Sequence, residues 1–149
     1  MSKLIYPLTE EVALQVASNL LPEDRREVEE GHGHDPNVVI PLASQLGDSV
    51  YFKAPNGEIA GAAGVHNEGQ IWMLCTKVIL KYPHTFARES KRFVNSRKEK
   101  LLWNVVDKRN IVHLKLLRFL GFKFIREIYF GPNNLIFIEF CKLCAHQQQ

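Results

Sequence analysis

The side chains of this chain able to do proton, metal or thiol chemistry are few, and they fall in short clusters. His32, His34 and Asp35 crowd into Gly31-His32-Gly33-His34-Asp35-Pro36. Imidazole titrates near neutral pH and ligates metals, so this stretch reads as a base or a metal site. The competing reading is a turn-rich loop with solvated imidazoles. For metal we adopt the loop; whether it lines a site is open at this level. Cys141-x-x-Cys144, with His146 close by, is half a zinc site. Structural zinc takes four ligands, usually from two such pairs, and Cys75 is far away in sequence. No metal is expected. A nucleophilic Cys75 would need a neighbouring base to lower its pKa, so a small buried thiol is the expectation there. Lys91, Arg92, Arg97, Lys98 and Lys100 form a basic run. Glu89 and Glu99 dilute it and no aromatic interleaves to stack on bases, so it reads as a solvated helix face. Trp72 and Trp103 both fall in strand-like runs and read as core.

Such groups need a scaffold. The chain has 149 residues, the usual size of one domain, with 46% hydrophobic and 23% charged side chains. One domain over residues 1–146 is expected, with a frayed tail at Gln147, Gln148 and Gln149. A net charge of +3 is too mild to imply nucleic acid. Three cysteines point to reduced thiols rather than a disulfide framework. No run is long enough to span a membrane, and the first residues lack a secretory signal, so synthesis and residence in a cytoplasm are expected.

The pattern predicts the order β, α, α, β, β, β, α, β, α, β, β. Thr9 caps a first helix with Val12, Val16 and Leu20 on one stripe. Pro22 opens a second helix that runs to Glu30 and stops at Gly31. Residues 32–48 read as mostly loop, with one helical turn near Pro41 to Leu46. Asn56-Gly57 marks a hairpin, and Asn67-Glu68-Gly69 a further turn, giving three antiparallel strands. A long helix from Pro83 to about Lys100 then crosses over to the strand Leu101 to Val106. Asp107 lies just past that strand, where a side chain meets any cleft at the strand ends. Asn110 caps the last helix and Gly121 ends it, before two final strands around Gly131 to Asn134. The fold class is α+β, with a mixed seven-stranded sheet and four main helices.

The run Asn-Ile-Val-His-Leu-Lys-Leu-Leu-Arg-Phe-Leu-Gly-Phe, Asn110 to Phe122, resembles the last helix of the GNAT N-acetyltransferase superfamily. Five stretches, Leu21 to Val28, Gly31 to Pro36, Ile71 to Thr76, Leu102 to Asp107 and Asn110 to Phe122 itself, are together similar to the internal virion protein A family of short-tailed bacteriophages. That resemblance implies a phage protein in the host cytoplasm or the virion, assisting assembly of the internal core by binding another phage or host protein. The wider resemblance implies an acetyl-CoA-binding N-acyltransferase acting on a host protein or small amine. It also implies candidate catalytic residues His32, Asp107 and Asn110, and candidate cofactor contacts Cys75, Thr76, Lys77, Lys81 and Asn110. Cys75 and Thr76 would stand where the sheet splays to admit the cofactor's amide arm.

The sequence departs from such an enzyme in two places. Superfamily enzymes cradle the pyrophosphate in a Gly-rich loop, where backbone N–H groups converge on the anion. Here no glycine lies between Gly69 and Gly121, and the equivalent stretch is Lys77-Val78-Ile79-Leu80-Lys81-Tyr82-Pro83-His84-Thr85. The tyrosine that often serves as general acid, seven residues after the Asn, is Leu117, which has no proton to give. The acetyl-CoA site is therefore expected to be degenerate. Three structural expectations follow: positive φ at Gly121, parallel pairing then splaying of the strands on either side of the long helix, and weak or absent acetyl-CoA binding.

Overall fold

A computed structural model describes residues 3–144, so the glutamine tail and His146 lie outside the described residues. Seven strands form one sheet in the order β1-β2-β3-β4-β5-β7-β6. They are β1 (Ile5–Pro7), β2 (Asp48–Lys53), β3 (Ile59–His66), β4 (Gln70–Cys75), β5 (Leu101–Asp107), β6 (Lys123–Phe130) and β7 (Leu135–Leu143). All neighbours pair antiparallel except β4 and β5, which are parallel.

Helix α1 (Glu10–Ser18) starts where Thr9 Oγ1 accepts the Val12 N–H, and α2 (Pro22–Arg26) begins on a proline. The chain then widens into a π-helical turn, Glu27–Gly31, instead of continuing as an α-helix. Gly31 allows this turn to press on the sheet: a Cβ there would lie 2.5 Å from Phe137 Cζ. Helix α3 (Pro36–Ala43) forms where mostly loop was expected. Asp35-Pro36 serves equally as a turn signal and a helix start. Asp35 accepts the Asn37 N–H at 2.9 Å, and Pro36 supplies the preset φ of a first helical residue.

Helix α4 (Pro83–Asn95) buries Phe86, Phe93 and Val94 as the pattern predicts, but ends before Lys100. Ser96 caps its end, and Arg97 just beyond pairs with Asp48 and Glu99. Helix α5 (Ile111–Phe119) is capped by Asn110. Gly121, with φ +91°, ends it as expected, in backbone space that L side chains rarely adopt.

Two apolar layers hold the sheet. Phe52, Phe86, Phe93, Leu102, Val106, Leu117 and Phe140 pack under α4 and α5, while Ala13, Val16, Ala17, Ile40 and Ala62 pack under α1 and α3. Trp103 is not core: it is 39% exposed on β5. Trp72 is half-buried, and its Nε1 has no hydrogen-bond partner.

Candidate functional site at the strand fork

Strands β4 and β5 touch only at their base, where Gln70 pairs with Trp103 and the Trp103 N–H donates to Gly69 C=O at 2.9 Å. Beyond that point they diverge into a fork, as the crossover helix between them predicts. A fork exposes the backbone edges of both arms, and buried N–H groups must find partners. On β4 the Thr76 N–H reaches back to Ala60 C=O on β3, so the alternate residue Cys75 turns its groups into the fork.

Side chains fill this demand. At the crotch, Asn104 Nδ2 donates to Ile71 C=O at 2.6 Å and its Oδ1 accepts the Val105 N–H at 2.8 Å. At the mouth, the Cys75 N–H donates to Asp24 Oδ2 at 2.7 Å, and Cys75 C=O accepts the Leu21 N–H at 2.9 Å. On the opposite arm the Asp107 N–H donates to Glu27 Oε1 at 3.0 Å. Asn110 Nδ2 ties the two acids together, donating to Asp24 Oδ1 at 2.8 Å and Glu27 Oε1 at 3.2 Å. Its Oδ1 accepts the His113 N–H at 3.2 Å, capping α5. Asp24, Glu27, Asp107 and Asn110 are all buried. The α2 segment is thus latched across the fork by two carboxyls and one amide.

Burial governs the protons of this latch. It pushes the Glu27 carboxyl up to about 8, with the neighbouring Asp24 adding to the effect. Burial likewise raises Asp24, against the pull of His113, and lowers His113. The Cys75 thiol is driven well above its usual range by burial and then by Asp24, so it is a poor nucleophile. Burial would also raise Asp107, but the hydrogen bonds from Arg109 outweigh it and hold that carboxyl low. Arg109 Nη2 sits 2.8 Å from Asp107 Oδ2 and its Nη1 3.1 Å from Glu30 Oε1.

The expected site residues separate into three places. Asp107, Asn110 and Cys75 meet at the fork mouth, each already engaged, whereas Thr76 turns toward β3 and lines the same depression as Lys77 and Lys81. Thr76 donates to Ile59 C=O at 2.8 Å and caps the 3-10 turn Lys77–Leu80 by accepting the Val78 N–H. Lys77 and Lys81 line this open depression with Gln15 and Gly57, and there Lys81 Nζ lies 3.7 Å from Glu58 Oε1. His32 follows the π-helical turn and packs edge-on against Phe130 and Phe137, its ring centroid 5.1 and 5.5 Å from theirs. Burial, then His34, lowers its pKa.

Asp24, Glu27, Asn104 and His113 were not anticipated. A signal existed: Leu21, Asp24, Val28 and Gly31 recur at helical spacing with Glu27 beside them, so two acids occupy the inner stripe of an otherwise ordinary short helix.

A cavity of about 210 Å³ runs behind the latch. Both fork arms contribute to it, through Met73 and Leu74 and through Asn104 and Val105. Val39 and Ile40 of α3 wall one side, and His113 and Leu117 of α5 the other. Glu27 lies at its edge, and His34, exposed, marks its mouth. Among the described residues no cluster of His, Cys, Asp or Glu is arranged to hold a metal, and no helix is long and apolar enough to cross a membrane.

The turn between β4 and α4 is the place where an acyl-CoA pyrophosphate would need several converging N–H groups. It is a 3-10 turn with Ile79 buried beneath it. Pro83 has no N–H, Tyr82 makes no side-chain cap, and the Phe86 N–H is used by Tyr82 C=O. This turn therefore has neither a glycine nor an N–H on Pro83 to offer an anion.

No family model matches the sequence, and no curated protein matches it. Solved structures do match in shape. A spermidine N-acetyltransferase chimera from Vibrio cholerae superposes with a TM-score of 0.71 at 9% identity, covering 99% of each chain. A ribosomal-protein-alanine N-acetyltransferase from Brucella melitensis gives 0.67 at 15% identity, covering 94% of this chain and 99% of its own. A GNAT-family acetyltransferase from Bacillus anthracis gives 0.68 at 8% identity, covering 93% of each. At such identities the likeness establishes architecture alone. The chain has the α+β, mixed-sheet fold of the GNAT acetyltransferases, with its own side chains latched across the fork of that fold.

Proposed function

We propose that this chain is a GNAT-fold protein that acts by binding another protein instead of transferring an acetyl group. The observation that carries the reading is the latch: Asp24 and Glu27 already hold the Cys75 and Asp107 N–H groups on both fork arms. The missing glycines and the aliphatic Leu117, buried in the core, point the same way. The setting we propose, assembly of the internal virion core of a short-tailed phage within its host, rests on the sequence resemblance.

Calorimetry with acetyl-CoA at low salt tests this. No saturable signal is expected. Stoichiometric binding with a micromolar Kd would overturn it and favour an N-acyltransferase acting on a protein or small amine. One observation speaks for that second reading: Glu27, with its pKa raised to about 8, borders a cavity at the fork, as a group that exchanges a proton near neutral pH would.

A further inference from the structure

We propose that the cavity behind the latch is a binding site for a small uncharged molecule, about the size of a substituted benzene ring, that carries one hydrogen-bond-accepting oxygen and docks it on Glu27. The inference goes beyond the protein-binding reading and does not depend on it.

Two independent observations meet here. The first is the space: about 210 Å³, walled largely by Val28, Ile40, Met73, Leu74, Leu117 and Phe140. An apolar cavity of about 150 Å³ holds benzene, so this one has room for a ring with a short substituent. The second is a free polar atom. Glu27 is 7% exposed, and its Oε1 takes both the Asp107 N–H and Asn110 Nδ2. Its Oε2 has no hydrogen bond from any described residue, although Glu27 lines the cavity. Among the described residues the fully buried side-chain atom without a partner is Trp72 Nε1, so Oε2 is reached from the cavity, where it is free to engage a ligand oxygen.

The state of that carboxyl sets the ligand class. Buried beside Asp24 and Asp107, it keeps its proton at neutral pH. It therefore offers an O–H donor, which suits a carbonyl, ether or hydroxyl oxygen. An ammonium group brings a charge as well as N–H donors, and a carboxyl that keeps its proton gives that charge no counter-ion. A ligand carboxylate would add a third acid to Asp24 and Asp107 in a buried place. An uncharged acceptor leaves neither problem. Entry is past His34, on the α3 face of the sheet and away from Lys77 and Lys81.

A matched pair of probes tests this by fluorine NMR on the full chain. 4-Fluoroacetophenone carries the acceptor oxygen and 4-fluorotoluene lacks it. Saturable broadening is expected with the ketone, and at least about tenfold weaker binding with the toluene, the size expected when a buried donor is left unpaired. Val39→Trp, which fills the cavity from α3 without touching the latch, should abolish both signals while the circular dichroism spectrum is retained. Glu27→Gln keeps an N–H donor and should retain the preference for the ketone. The proposal is overturned if the wild-type chain binds neither probe saturably, if it binds both equally, or if folded Val39→Trp binds as the wild type does. The wild-type pair decides even where a variant fails to fold. Acetyl-CoA binding, measured separately, neither supports nor sinks it.

Discussion

Helices α4 and α5 each begin just after one arm of the fork, yet their first turns are built in opposite ways. At α5 every polar group of the capping side chain is committed: Asn110 Oδ1 to the His113 N–H, Nδ2 to Asp24 and Glu27. At α4 the cap position is Tyr82, with no side-chain bond, followed by a proline. The α5 start is thus part of the interior, held by contacts more than eighty residues apart in sequence. The α4 start is a surface feature resting on the apolar plug of Ile79. A fold best known for gripping an anion at the helix after β4 has here placed its polar order on the other arm.

The largest effect should come from Asn110→Ala. It removes a helix cap and leaves two buried acids short of a donor, a loss of about 3–5 kcal/mol in urea unfolding. Tolerance of this change would show that the latch carries no weight and that the two helix starts are equivalent after all.

A smaller effect, seen as a slope, should come from Glu27. Its carboxyl ionises at about 4.5 in the unfolded chain and about 8 in the folded one, so the folded state holds the extra proton between those values. Stability should therefore fall as pH rises across that window, by an amount on the order of a few kcal/mol, and level off above it. Asp24, raised too, acts with the same sign. His113, lowered by burial, acts with the opposite sign, so its share of stability grows as pH rises toward its ordinary value. In Glu27→Gln the decline between pH 5 and 8 should flatten by the Glu27 share. Chemical unfolding midpoints of the two proteins across that range check this; identical slopes would place the titrating group elsewhere.

The smallest effect should come from Tyr82→Ala, within about 1 kcal/mol, since no capping bond is lost. A drop comparable to that of Asn110→Ala would mean that the α4 start is held as firmly as the α5 start.

Much of the scaffold was legible before any coordinates. Thr9, Asn110 and Gly121 act on neighbours within a few residues, and each does what its type and place imply. The crossover helix required a parallel pair, and β4 and β5 are that pair. Residues 32–48 were harder, because Asp35-Pro36 is equally a turn signal and a helix start; the packing of Ile40 against the α1 layer selects the helix. Trp103 differs from its expected core place for a related reason: a strand pattern shows that a residue alternates, not which face of the sheet is buried.

The latch marks the boundary between the two kinds of information. The sequence alone determined the order of the strands, the start of the first helix, both ends of the last one and the absence of a glycine cradle before α4, since these depend on local sterics, capping and backbone freedom. Only the tertiary structure decided that Asp24 would meet Cys75 across 51 residues and Glu27 would meet Asp107 across 80. The physical reason is that those acids answer a demand no local pattern expresses. Two strands that part inside a protein leave N–H groups without partners, and whichever element folds over the gap must supply the acceptors.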